Sequence, residues 1–446
     1  MKNFFVALLL LCVPVAGFAQ LHNATRTTHL SNCGNFTANV IGFHHARYSS
    51  DGELLPWTSW RKAIKMEMEW YNRCPTVDGY PRFITVTFMD GNYHWYRKRP
   101  DTIPAMQDGM GILSYLKYYH FTGNRNPVYL KIAQQMGDFL VSDCNTPNSG
   151  EWPGFTRSTG KVGELPLPAD CGSQQDHPYE IQPDKGALAG WALLQLYRAT
   201  SNKSYLNQAL HNARVLVTNM QPGTATTSPW PFRVDYRTGN GRGPVSADMS
   251  FALRLFNGLV HQGYPEFTKP ASALWNWIIT WQIPSAAGNG ALWTQFFEDY
   301  DRLDNRNSWS AMNLARYLIE KRDSFDPAWR EHAHTLIQFV TKNFTGIRDG
   351  VPICGEQDGD REPWGGANST YGAVLAMYCA ATGSHEYELL ARESLNFGLY
   401  AIDKDGCPGQ NALAALRGGW QEDAHTDKIH NFVDAMEAFP QWVNER

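Results

Sequence analysis

Residues 371–383 read YGAVLAMYCAATG and are followed at 387–391 by YELLA. The same grammar stands at 187–200 (ALAGWALLQLYRAT) with YLNQA at 205–209, and at 111–123 (GILSYLKYYHFTG) with YLKIA at 129–133. Each passage is an apolar run with few charges, a Thr-Gly or Thr-Ser turn, and a second run that opens with Tyr and carries its charges on one face. A helix apolar all round is buried on every side, whereas a one-sided stripe lies on a core. The passages therefore encode hairpins of an inner, buried helix and an outer, amphipathic one.

Two looser copies follow at 250–282 and 310–344. A sixth inner helix starts near Lys428, with the segment Trp60–Asn72 available as its outer partner. The inner helices start near 112, 187, 251, 310, 371 and 428, roughly sixty residues apart. Self-similarity of this kind marks a repeat architecture. About six hairpins with fully buried inner helices predict an all-α fold, a closed (α/α)6 toroid with long loops on one face. An open helical array is the alternative, disfavoured because such inner helices leave no face to line a groove. The toroid is expected over 101–446, with 21–100 as an extension leading into it.

The chain begins with Lys2, an apolar run from Val6 to Cys12, and small residues at Ala16, Gly17 and Ala19. That order is the order of an export leader, expected to span 1–20 and to be removed, placing the protein in the periplasm or outside the cell. No other run is long and apolar enough to span a membrane. The net charge of −4 gives no basic surface for nucleic acid. Without Cys12 the number of cysteines is odd, and Cys379, inside an apolar helical run, is the expected free thiol. The chain carries 16 Trp and 20 Tyr, more ring faces than its composition otherwise suggests. Such faces serve large helical cores and sugar platforms alike.

In a toroid the inner helices run parallel, so their leading ends gather at one mouth. The segments arriving there are 104–108 (PAMQD), 180–185 (EIQPDK), 244–248 (PVSAD), 304–309 (DNRNSW), 364–371 (WGGANSTY) and 420–425 (WQEDAH). Helix capping accounts for one or two polar residues in each. It does not account for Lys185, Arg306, Tyr371, His425, Trp309, Trp364 and Trp420 reaching the same place. Helix N-termini aimed inward also favour an anionic group. Loop 228–237 (SPWPFRVDYR) adds Trp230, Arg233 and Arg237, with Trp230 and Trp364 as expected sugar-stacking surfaces and Trp309 and Trp420 as further substrate-binding residues. Loops 293–301 (WTQFFEDYD) and 354–364 (CGEQDGDREPW) cluster carboxylates that calcium could use, although neither has EF-hand spacing. No cofactor is required by the chemistry considered below.

The hairpin repeat and the Trp-rich polar loops resemble the six-hairpin (α/α)-toroid glycan enzymes, which include unsaturated glucuronyl hydrolases, inverting glycosidases and polysaccharide lyases. The resemblance covers the chain from about residue 100 to its end and matches no family-specific catalytic motif, so no residue role is carried over from it. It implies a polysaccharide or oligosaccharide substrate.

A lyase acting on a uronate polymer must neutralise a carboxylate, remove the adjacent proton and protonate the leaving oxygen. Asn305, Arg306 and Asn368 are the residue types for the clamp, with Arg233 and Arg237 beside them, and Tyr371 and His425 for the base and acid. A hydrolase, inverting or acting on an unsaturated uronyl end, needs two carboxyl groups flanking the glycosidic bond. Asp184 and Asp248, each opening an inner helix, are the expected pair, with Asp108 as a third carboxylate. The frequency of amides, Arg and Tyr in the loops favours β-elimination of an acidic glycan. A toroid that binds glycan or protein without catalysis would show aromatic platforms and no acid–base pair.

Overall fold

The computed structural model describes residues 40–41, 44–73, 76–77, 80–81, 86–90, 95–98, 104–158, 177, 179–296, 302–348, 351–359, 361, 364–406, 419–423 and 427–444. The export leader expected at 1–20 lies outside them. The helices are α1 (Trp60–Asn72), α2 (Pro104–Phe121), α3 (Pro127–Ser142), α4 (Pro183–Thr200), α5 (Lys203–Thr218) and α6 (Ser250–His261). They continue with α7 (Thr268–Trp277), α8 (Trp309–Lys321), α9 (Trp329–Phe344), α10 (Gly365–Thr382), α11 (Glu388–Leu399) and α12 (Asp427–Ala438).

The repeat passages fold as hairpins for local reasons. Gly383 closes α10 at φ 74°, in the left-handed region a side chain resists. Asn126 and Asn202 cap α3 and α5 by accepting from the Val128 and Ser204 backbone N–H groups, each at 3.1 Å. Inner helix α10 is buried without a break from Gly365 to Ala376, whereas outer helix α9 buries one stripe including Leu336, Ile337 and Val340.

Inner helices α2, α4, α6, α8, α10 and α12 each pack on the next, and α12 packs back on α2, so the ring closes. Gly190 permits the close approach of α4 to α6: a Cβ there would lie 2.8 Å from Leu255 Cδ2. Helices α3, α5, α7, α9 and α11 lie on their own inner partners. Helix α1 packs on α12 and completes the sixth pair, as the sequence suggests. Trp60 anchors it, meeting Phe432 edge to face at 5.2 Å and donating to Asn396 Oδ1 at 2.7 Å. The segment ahead of residue 100 thus supplies a structural helix of the ring.

Turns from inner to outer helix are short; the returns to the next inner helix are long and carry the strands. Strand Gly419–Asp423 pairs with Val86–Asp90, which pairs with Trp95–Lys98. Arg233–Asp235 lies between Glu180–Ile181 and Gly241–Arg242. A hairpin joins Thr345–Arg348 to Val351–Cys354. The fold is therefore an all-α toroid whose small sheets sit in the loops on the face where the inner helices begin. No helix among the described residues is long and apolar enough to cross a membrane. Cys379 is a buried free thiol, as is Cys354.

Candidate active site

The leading ends of α4, α6 and α8 bring buried polar groups together. Asp184 and Lys185 lie in the first turn of α4, 3% and 1% exposed. The Lys185 ammonium donates to Asp184 Oδ2 at 2.9 Å and to the Phe296 carbonyl at 2.7 Å, and lies 3.3 Å from the centre of the Phe296 ring. Asp184 Oδ1 accepts no hydrogen bond among the described residues. Asp248, 1% exposed, lies two residues ahead of the start of α6 at Ser250. Its Oδ1 accepts from the Ser250 N–H at 2.9 Å and the Ser250 hydroxyl at 2.6 Å, and its Oδ2 accepts from Asn313 Nδ2 at 2.8 Å. Burial pushes the Asp248 carboxyl above the usual carboxylate range, against the bonds from Ser250 and Asn313; the nearby Asp184 raises it further and Lys185 lowers it. Burial disfavours the charged form, and this is the largest influence on Asp248.

A polar belt continues from α8. Arg316 donates to Asn431 of α12, and Asn431 Nδ2 donates to Ser369 Oγ at 3.0 Å and Thr370 Oγ1 at 2.9 Å of α10. Lys428, at the start of α12, pairs with Glu67 of α1 at 3.3 Å, both side chains wholly buried.

The remaining residues singled out in the sequence fall elsewhere. Tyr371 is buried and bonds Thr341 of outer helix α9 at 2.7 Å; burial raises its phenol far above the ordinary value. It faces the wall between α9 and α10, because a helix buried all round has a wall side as well as an axial side. Asn305 donates to Gln357 Oε1 at 2.5 Å and accepts from the Gly359 N–H at 2.8 Å. Arg306 is ion-paired with Asp358 at 2.7 Å and donates to Asn343 Oδ1 at 3.1 Å. Asn368 accepts from the Cys354 N–H at 2.8 Å and donates to the Trp364 carbonyl at 2.9 Å. These three side chains brace the loop 354–359 against α8 and α10; such a loop needs partners for its buried backbone groups.

Trp230 is buried against Phe256, its indole N–H donating to the Leu216 carbonyl at 3.0 Å, so it serves the core rather than a sugar. Arg233 is buried over the Phe232 ring at 4.3 Å. Arg237 is exposed, paired with Asp235 at 2.7 Å and stacked 3.5 Å over the Tyr179 ring. Trp364 is half-buried at the start of α10, and Trp309 lies in an apolar cluster with Phe296, Met106 and Met110. Trp420 sits in the strand Gly419–Asp423 opposite Met89; its side chain and His425 lie outside the described residues. Part of the acidic loop at 297–301 also lies outside them, and in the other acidic loop Asp358 is engaged by Arg306 and Arg361. Among the described residues no three His, Cys, Asp or Glu side chains converge as metal ligands.

The sequence reading missed the axial stripes. Trp309, Asn313, Arg316 and Glu320 recur at helical spacing on α8, as do Asp427, His430, Asn431 and Asp434 on α12, and all face a cavity of about 610 Å³ on the ring axis. Polar residues at that spacing on a helix otherwise apolar all round are the signal that would have found them.

No family model and no curated protein sequence matches this chain. Solved structures do. It is similar to cellobiose 2-epimerase from Spirochaeta thermophila DSM 6192, at 13% identity and a TM-score of 0.60 over 86% of this chain and 96% of that one. A D-mannose isomerase gives 14% identity and a TM-score of 0.60 over 86% and 97%. A family 76 glycoside hydrolase from a bovine Bacteroides thetaiotaomicron strain gives 13% identity and a TM-score of 0.56 over 86% and 78%. The chain has the (α/α)6-toroid fold of these carbohydrate-processing enzymes.

Proposed function

We propose that this protein is a carbohydrate-active enzyme that cleaves a glycosidic bond by hydrolysis, with Asp248 and Asp184 as its acid and base. The observation that carries this is the contrast between two buried carboxyls at adjoining inner-helix ends. Asp248 is pushed toward its protonated form by burial, its oxygens held by Ser250 and Asn313, whereas Asp184 accepts from the Lys185 ammonium at 2.9 Å and keeps its other oxygen unbonded among the described residues. Two titratable groups whose surroundings differ in this way are the usual division into proton donor and proton acceptor. In this reading Asp248 protonates the leaving oxygen, and the unused Oδ1 of Asp184 takes the proton of an attacking water. Phe296 lies over the Lys185 ammonium beside Asp184.

Hydrolysis is favoured over β-elimination of a uronate because Arg306, Asn305 and Asn368, the expected carboxylate clamp, are engaged in bracing a loop. A second reading, sugar isomerisation or epimerisation, draws on the similarity to an epimerase and an isomerase over nearly the whole of their chains. The same pair of groups could then move a proton at carbon. We read residues 1–20 as a removed export leader, which N-terminal sequencing of the protein from its host tests.

The deciding experiment is incubation with neutral and acidic glycans and sugars, followed by reducing-end, ultraviolet and NMR assays. Hydrolysis predicts new reducing ends without the absorbance of an unsaturated uronate, lost in Asp248→Asn. Absorbance would establish elimination, interconversion without cleavage would establish the second reading, and binding with neither would leave a non-catalytic toroid.

A further inference from the structure

Neither Asp184 nor Asp248 lines the axial cavity, although Asn313, which does, donates to Asp248 at 2.8 Å. Its rim carries the exposed residues His120, Arg198, Ala380 and Arg322, at the trailing ends of the inner helices, so it opens on the face with the short turns. Its floor is formed by Met110, Phe251 and Trp309. Met110 and Trp309 belong to an apolar plug, with Met106, Leu188, Ala247 and Phe296, that stands between the cavity and the leading-end loops. At about 610 Å³ the cavity falls in the ~300–1,000 Å³ range of ordinary small-molecule sites.

The wall is built for a ligand with many polar groups and no charge. Trp191, Phe251 and Trp309 present ring surface. Below the rim, charged side chains pair with one another: Arg254 with Glu320 at 2.5 Å, and Lys117 with Asp434 at 2.8 Å and Glu437 at 2.7 Å; at the rim, Arg198 and Arg322 donate to the Gly258 and Ile319 carbonyls. Arg316 lies 3.5 Å from Asp434 and donates to Asn431. Burial lowers the His430 imidazole to about 4, so it is neutral at pH 7. Among the described residues the amide nitrogen of Gln195 and Nε of Arg316 donate no hydrogen bond, and Oδ2 of Asp434, a residue 6% exposed, accepts none although it lies 3.5 Å from that Nε and 3.4 Å from His430 Nε2.

We propose that this axial cavity is a saccharide-binding site, distinct from the carboxyl pair, that takes a neutral mono- or disaccharide against Trp191 with its hydroxyls on Gln195, Asp434 and the flanking ion pairs. Apolar ring faces beside fixed, alternating donors and acceptors match the amphipathic faces of a sugar ring, and the cations along the wall, Lys117, Arg254 and Arg316, already face carboxylates. The site depends only on the cavity walls, so it can stand if the hydrolase reading fails.

The test is calorimetric titration of the full-length protein with D-glucose, D-mannose, D-galactose, cellobiose and D-glucuronate, each to roughly 10 mM, a range that covers millimolar affinity. At least one neutral sugar is expected to saturate. Trp191→Ala should weaken it about tenfold, the loss of one stacking contact. Ala380→Trp, at the exposed rim, should block binding while leaving the melting temperature unchanged, which keeps the test valid if Trp191→Ala folds poorly. Asp248→Asn should bind as the parent does. Absence of saturation by every neutral sugar overturns the proposal, as does tighter binding of D-glucuronate. Loss of binding in Asp248→Asn with retention in Ala380→Trp would place the sugar at the carboxyl pair and overturn it too.

Discussion

Asn313 of α8 donates its side-chain amide to Asp248 Oδ2 at 2.8 Å, tying the leading ends of two neighbouring inner helices through a buried carboxyl. That bond favours the charged form of Asp248, while burial opposes it more strongly. Asn313→Ala removes the favouring contact and should raise the Asp248 pKa further. If Asp248 is the acid, the alkaline limb of the pH–rate profile moves to higher pH, with the fold retained by circular dichroism. Asp248→Asn should lower kcat by about a hundredfold or more with little loss of stability, since it removes a buried ionisable group. An unmoved alkaline limb in Asn313→Ala would remove Asp248 from the proton-donor role.

Arg306 and Asp358 make a brace rather than a ligand clamp. The guanidinium and carboxylate meet at 2.7 Å with side-chain exposures of 25% and 17%. A pair this accessible should show a coupling of about 1 kcal/mol in a double-mutant cycle of Arg306→Ala and Asp358→Ala, read from denaturant unfolding. Turnover should change little in either single variant. A drop in kcat/KM confined to acidic substrates, with stability unaltered, would return Arg306 to the role of anion clamp.

The toroid is legible in the sequence because burial differs between the two members of each hairpin. YGAVLAMYCAATG has no polar face, whereas the segments opening with Tyr do, and that contrast also located the sixth inner helix near Lys428 and its partner around Trp60. The axial direction is less legible. A helix buried on all sides hides which residues face the ring axis and which face the outer wall, so Tyr371 and Asn313 look alike until the hairpins are packed. Arg306 and Asp358 lie 52 residues apart, and nothing local marks them as partners. Trp230 had the composition of a platform and the position of a core residue; the strand Arg233–Asp235 beside it pins the loop inward. The polar stripes of α8 and α12 could have been read, since their spacing is that of one helix face.

Glu67 and Lys428 close the ring. Their charged groups lie 3.3 Å apart, wholly buried, at the seam where α1 meets α12. Removing one partner leaves a buried charge with lost compensation, which typically costs ~3–5 kcal/mol. Glu67→Gln and Lys428→Met should each lower the unfolding midpoint strongly. The double change Glu67→Leu with Lys428→Met should recover most of the loss, because two apolar groups need no counter-charge. Two independent, additive single effects in chemical denaturation would refute a direct pairing across the seam.

His430 should make the protein acid-sensitive in a defined window. It lies on α12 facing Asp434 of its own helix at 3.4 Å, with Arg316 and Glu320 of α8 and Lys117 of α2 around it. Burial is the largest influence and lowers its pKa from the ordinary 6.5 to about 4, so the folded state binds fewer protons than the unfolded chain between those values. Its contribution to stability is therefore complete above about pH 6.5 and is lost as pH falls toward 4, with a slope of up to ~1.4 kcal/mol per pH unit. Asp434 is lowered in the opposite chemical sense: its stabilisation holds above its ordinary 3.8 and is lost only in stronger acid, so the two windows separate. Asp248, raised by burial, acts with the reverse sign, losing stabilisation as pH rises from 3.8. The comparison is accordingly between the parent and His430→Gln, measured by urea unfolding from pH 4 to 7. The variant should show a flatter dependence across that span; identical slopes would mean that His430 accepts its proton in the folded protein as readily as in water.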